Sequence, residues 1–572
     1  MHAPLAATAA DARFARLAAE EWAWRLGEFP QLATSVGDAS HDDRLERVDA
    51  ASRAARLARW HATRAALAAI PLDAMSPAAR IDRAVYENQL HGLIAAIESH
   101  ADRMPLNSDS SFHGPLVDLC DAQPLRDVAD YRRFLARLGD IPRFMAEHVA
   151  LMREGLATGY TVPQVVLEGR DQPLAAIAAT TDPAATPFWK PFAAFPPGVP
   201  AAAQAGLREA ARGVIGGRVL PAYRELLAFL RETYVPGARR TTAACDLPDG
   251  DAFYAAQIRH YTTLDLGADA IHERGRVEVA RIRAEMEDVR RAAGFDGDLP
   301  AFLDFLRTDP RFHARTPHEL LAHAAWIAKR VDGLLPRYFG VLPRQPYGVA
   351  PVPDDIAPFY TAGRYVPAPR PTGLAGMYWV NTHALQSRAL HTLPALTRHE
   401  AVPGHHLQIA LAAERTDQPA FRRHGFVDAY GEGWALYAEH LGDEMGVYLT
   451  PYEQFGRLTY EMWRAARLVV DTGLHARRWS RDDARAYLLA HTALSAHEVA
   501  TEVDRYISWP GQALSYKIGE IRIRELRARA EQRLGAAFDL RAFHDAVLAL
   551  GSVPLGVLTE QVDAWIAGRL AA

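Results

Sequence analysis

Apolar residues recur every three or four positions along most of this chain, and that spacing commits it to packed α-helices. The stretches RLERVDAASRAARLARWHATRAAL and ARIDRAVYENQLHGLIAAIESH carry the pattern through residues 10–156, and it returns in VIGGRVLPAYRELLAFLRETYV and GADAIHERGRVEVARIRAEMEDVRRAAG. Three irregular stretches interrupt it. Residues 157–200 contain TVPQVVLEG and PFWKPFAAFPPGVP, too rich in proline for one regular element, and are expected to form a connection packed on the surface. A second break near residues 236–250 sets the expected boundary between an N-terminal helical lobe, 1–240, and a C-terminal lobe, 241–572. The third break, residues 340–373, carries prolines at a density that forbids helix. Beyond it, residues 376–382 have the aromatic and β-branched content of a short strand. The predicted fold is therefore mainly α and two-lobed, with a small β element just before a cluster of His and Glu.

Composition narrows the function classes. A net charge of -5 over 572 residues supplies no basic field, so no nucleic-acid partner is expected. Only Cys120 and Cys245 are present, far apart, which provides neither a disulfide framework nor a thiolate metal site. The N-terminal stretch lacks a basic segment followed by a continuous apolar run, and nowhere do about 18 apolar residues run without a charge. A cytoplasmic protein without a membrane segment is the expectation. The sequence does not fix an oligomeric state.

The chemistry concentrates in ALTRHEAVPGHHLQIALAAE, where His399, Glu400, His405 and His406 stand together in an apolar stretch. In zinc hydrolases of the H-E-x-x-H type, two His one helical turn apart hold the metal and the Glu beside the first serves as general base. Here the fourth residue after His399 is Pro403, so that spacing is broken. On an undisturbed helix His399 and His406 share a face, and His405 is turned away by roughly a third of a turn. Pro403 and Gly404 make an undisturbed helix unfavourable, and a bulge there brings His405 round instead. The plain alternative is a set of capped or surface histidines on a broken helix.

Two similar segments act as controls. TPHELLAH contains His318, Glu319 and His323, but Thr316 with Glu319 reads as a helix-capping box, and the two His lie about 140° apart on a helix. SAHEVATEVDR has His497 and Glu498 with no second His in reach. What sets the first cluster apart is FVDAYGEGWALYAEHLG, which places Glu432 and Glu439 on one helical face among apolar neighbours. A buried carboxylate needs a partner, and one of these as metal ligand with the other orienting a ligating His meets that need.

The segments HEAVPGHHLQ, YGEGWALYAEHLG, RAARLVVDTGLH and RYISWPGQALSYKIGE, in that order, resemble the successive motifs of domain-of-unknown-function family 885 (DUF885). DAFYAAQIRHYTTLDLGADAIHERG and LAGMYWVNT upstream fit the same family, so the resemblance covers most of the chain. That family is grouped with the zincin-like metallopeptidases, among whose helical members are the thimet oligopeptidases and the relatives of angiotensin-converting enzyme. The resemblance implies a two-lobed helical zincin-like fold with a small sheet beside the active-site helix. It implies one Zn2+ per chain, held by His399, His405 and Glu432, with Glu400 as catalytic base and Glu439 behind a ligand. The residues inserted between Glu400 and Gly404 depart from the zincin H-E-x-G-H pattern and leave His406 as the competing ligand.

Tyr516 is a candidate hydrogen-bond donor to the oxyanion of a tetrahedral intermediate. Arg467 is a candidate clamp for a substrate carboxylate, with an i,i+4 pair to Asp471 as the plainer reading. His475 and Arg505 receive no role. The expected activity is metal-assisted hydrolysis of peptide amide bonds, with residues 376–382 aligning an extended peptide at a sheet edge. A hydrolase of a small amide or modified amino acid uses the same parts. A non-catalytic helical metal-binding protein is the reading from a different class.

Overall fold

The computed structural model describes residues 8–108, 110–354, 356–367 and 374–571. The chain is mainly helical and contains one three-stranded sheet among the described residues. It divides between Thr241 and Thr242 into two compact units. Among the described residues no helix is long and apolar enough to cross a membrane.

The N-terminal unit is organised on the helix Val128–Thr158, whose start is capped by Asp127 and which stops at Gly159 in the left-handed region. Its buried face carries Phe134, Leu138, Ile141, Phe144 and Met152 at helical spacing. The proline-rich stretch after it departs from the expected surface connection. It forms the short helix Gln172–Ala179 and several single turns, and Phe188 and Phe192 are fully buried. Proline at the first turn of a helix costs no hydrogen bond, so the density of proline here marks many short starts rather than absence of structure.

In the C-terminal unit the third sequence break holds β1 (Tyr347–Pro351) and β2 (Gly363–Val366), and the predicted strand is β3 (Gly376–Val380). Residues 368–373, the end of that break, lie outside the described residues. The strand order is β1-β3-β2, with β1 parallel and β2 antiparallel to β3. Helices then run to the C-terminus. Those that build the site are α1 (Leu393–Glu400), α2 (His405–Glu414), α3 (Asp428–Glu444), α4 (Pro451–Arg477), α5 (Ala496–Ser508) and α6 (Ser515–Leu534). The long α4 is almost entirely buried and forms the axis of this unit.

Candidate metal centre

The His/Glu cluster sits where one helix is broken into two. α1 ends as the Ala401 N–H bonds the Thr397 carbonyl, and the chain turns through Ala401–Gly404 before α2 begins at His405. At Gly404 the returning backbone lies directly on the last carbonyls of α1: a Cβ there would stand 2.1 Å from the His399 oxygen and 2.3 Å from that of Arg398. Only glycine fits that approach. The Trp434 indole N–H, from α3, donates to the Pro403 carbonyl at 2.8 Å and satisfies an acceptor freed by the break. The turn thus rotates His405, rather than His406, onto the side of His399.

His399, His405 and Glu432 each present one atom to a common point, all within 4.8 Å of one another. Glu432 Oε2 is 3.4 Å from His399 Nε2 and 3.2 Å from His405 Nε2. The two imidazoles stand perpendicular, with centroids 4.8 Å apart. Glu432 Oε2 is buried and faces the two imidazole nitrogens, and His405 Nδ1 is buried without a hydrogen-bond partner. A carboxylate whose buried oxygen faces two imidazole nitrogens is a donor set suited to a divalent N/O-binding ion.

Glu439, two turns along α3 from Glu432, holds the far side of His399, with Oε1 2.8 Å from Nδ1. Burial draws the His399 pKa down, but hydrogen bonds to Glu432 and Glu439 outweigh it and carry it up to about 9. Burial by itself pushes Glu432 up, and the two imidazoles reverse that and hold it well below the usual carboxylate range.

Glu400 lies at the end of α1 beside His399, and its Oε2 accepts the Tyr365 backbone N–H at 2.7 Å. His406 points elsewhere: its Nδ1 meets the Tyr365 hydroxyl at 3.0 Å and its ring rests against Tyr347, 4.6 Å between centroids. Burial lowers its pKa to about 4, so it stays neutral. Tyr365 therefore fixes both residues, one through its backbone and one through its side chain. The sequence offered no signal for this role.

Tyr516, on α6, lies beside His399 with the rings 16° from parallel and 6.1 Å apart. It can approach because α3 and α6 cross glycine on glycine: a Cβ on Gly519 would stand 1.9 Å from the Ala429 carbonyl, and one on Gly433 2.5 Å from Gly519. The motifs containing Glu432 and Tyr516 are therefore joined backbone to backbone. Asp428, one turn before Glu432, is pushed by burial and by the charge of Glu432 up to about 7, and the Gln512 side chain reaches it. That position was legible as the i-4 neighbour of Glu432 but carried no role.

Several expectations are corrected. Arg467 does not pair with Asp471; it donates to Glu502 at 2.9 Å and to the Tyr506 hydroxyl at 2.8 Å, because α5 packs on that face. Asp471 instead accepts from the Tyr254 hydroxyl at 2.6 Å. β3 is the central strand, paired on both sides, so it has no edge to offer a peptide; the edge strands are β1 and β2. His475 bridges the Tyr506 carbonyl and the Ala244 N–H, a packing role. At the control segment Thr316 caps the helix Pro317–Asp332 by accepting from the Glu319 N–H, and Glu319 accepts from Arg315 rather than completing the box with Thr316.

Comparison with known proteins places the chain in a family. The family model described as "Bacterial protein of unknown function (DUF885)" matches residues 30–562. A crystal structure from Colwellia psychrerythraea, of a protein provisionally named a lipoprotein, is 27% identical, with a TM-score of 0.90 over 98% of this chain and 100% of that one. A second, from Shewanella oneidensis and provisionally named a lipoprotein of unknown function, is 20% identical with a TM-score of 0.70 over 96% of this chain and 99% of that one; it shares the fold. No curated protein matches.

Proposed function

This chain belongs to the DUF885 family, and we propose that it is a zinc-dependent hydrolase of peptide amide bonds with a zincin-like catalytic unit. The observation that carries the reading is the convergence of His399, His405 and Glu432 within 4.8 Å, with Glu432 Oε2 buried against the two imidazole nitrogens. Two imidazoles and a carboxylate are a catalytic rather than a purely structural donor set, since they leave a fourth position for water. Bound there, zinc would supply a Lewis acid and lower the pKa of its water to roughly 7.

The residues of the chain supply the rest. Glu400, held by the Tyr365 N–H, takes the proton of the attacking water and returns it to the leaving amine. Glu439 fixes the His399 ring through Nδ1 and leaves Nε2 facing Glu432, where it would serve as a ligand. Tyr516, beside His399, donates a hydrogen bond to the oxygen of the attacked carbonyl.

Elemental analysis of the purified protein, followed by a mixed peptide library read by mass spectrometry, tests the reading. About one zinc per chain and cleavage that Glu400→Gln abolishes are expected. A protein that takes up no zinc, or takes it up and cleaves no peptide, overturns it.

A further inference from the structure

We infer that Arg505 is a positioning residue for Tyr516, committing the phenolic proton to the reacting carbonyl; the inference rests on the hydrolase reading and deepens it. Arg505 Nη2 donates to the Tyr516 hydroxyl at 3.2 Å and to Gln512 Oε1 at 2.9 Å. A phenol has one proton to give and an oxygen that accepts, whereas a guanidinium can only donate. The contact therefore occupies the Tyr516 oxygen and leaves its hydrogen facing away from Arg505. Among the described residues no acceptor takes that hydrogen. The buried Tyr254, by contrast, spends its hydroxyl hydrogen on Asp471.

Arg467 acts on the same ring in the same direction. Its Cζ stands 4.3 Å from the Tyr516 centroid, and the side chain is buried with Nη1 unpartnered. A cation over an aromatic face is held by the π electrons and draws density from the ring, which strengthens the hydroxyl as a donor. Glu502 ties the two arginines together, 2.9 Å from Arg467 and 3.7 Å from Arg505. On the other side Gln512 joins Arg505 to Asp428, one turn before Glu432 on α3. Polar contacts thus run from the helix of one candidate ligand to the tyrosine stacked on another.

The experiment uses the metal-loaded full chain with a peptide it cleaves and a phosphinic peptide, whose tetrahedral anion stands in for the attacked amide. Arg505→Met and Tyr516→Phe should each lower kcat about ten- to hundredfold with KM within about twofold. Both should weaken phosphinic-peptide binding in calorimetry by a similar factor and leave product binding unchanged. The double variant should be no slower than Tyr516→Phe alone, and Arg505→Lys should recover most of the loss. Zinc content and melting temperature verify that each variant is folded, and Arg505→Gln takes the place of Arg505→Met should that variant not fold. Losses that multiply in the double variant, a change in KM alone, or unchanged phosphinic-peptide affinity would overturn the role of Arg505 while leaving the hydrolase intact. A wild-type protein that neither cleaves peptides nor binds the phosphinic peptide overturns both.

Discussion

Glu439 Oε1 lies 2.8 Å from His399 Nδ1, with both side chains buried, so the orientation of a candidate zinc ligand is set by a residue 40 positions along the chain. This carboxylate and Glu432 share a helical face, yet one turns to each side of the same imidazole. Glu432→Ala should therefore strip the metal, whereas Glu439→Gln should weaken zinc affinity by about 10- to 100-fold while leaving a site. Competition with a chelator of known affinity measures both. Full zinc retention in Glu432→Ala would transfer the ligand role to Glu439.

Glu400→Gln should retain zinc and lose turnover in the chemical step, because the amide keeps the shape and the Tyr365 contact but accepts no proton. Single-turnover kinetics on a cleaved peptide are the measurement. A rate near wild type removes Glu400 from the mechanism.

His405→Ala should abolish zinc binding, and His406→Ala should leave stoichiometry intact. His406 is engaged by Tyr365 and Tyr347 on the other side of the break, so its loss costs packing and one buried hydrogen bond, about 1–3 kcal/mol in unfolding. Elemental analysis and denaturant titration separate the two effects. Zinc lost from His406→Ala but kept in His405→Ala would reverse the assignment.

Gly519→Ala should loosen the centre without touching a ligand. The added methyl would meet the Ala429 carbonyl, forcing α3 and α6 apart at a cost of about 1–3 kcal/mol and displacing Glu432 relative to Tyr516. A lower melting temperature together with weaker zinc binding is expected. Unchanged values in both would show that the two helices have room to spare.

Burial pushes the Asp471 pKa up to about 7, above the value near 3.9 of an unfolded chain. The folded state then binds the proton more tightly than the unfolded state. Its contribution is fully present below the unfolded pKa and is lost as pH rises through about 7. The metal-free protein should be less stable at pH 8 than at pH 5 through this group, and Asp471→Asn should shrink that difference. Urea midpoints at the two pH values are the test; an equal difference in the variant would place the pH dependence elsewhere.

The helical character and the position of the cluster were legible because periodicity and the coincidence of His and Glu are local properties of the chain. Gly404 and Pro403 announced a break, and Glu432 and Glu439 announced a face. The proline-rich residues 157–200 misled, since proline density records both loops and helix starts. The partner of Arg467 misled as well: i,i+4 spacing offered Asp471, but the approach of α5 brought Glu502 closer.

The sequence by itself determined most of the helices, strand β3, the break between α1 and α2 and the inventory of candidate ligands, all of which depend on neighbours within a turn or two. Which histidine turns toward Glu432, that Tyr365 holds Glu400 by its backbone and His406 by its side chain, and that Tyr516 lies against His399 were decided only by the tertiary structure. Those relations depend on the path of the chain through Gly404 and on the crossing of Gly433 and Gly519. A backbone contact between residues 86 positions apart follows from packing space, which no spacing along a single helix encodes.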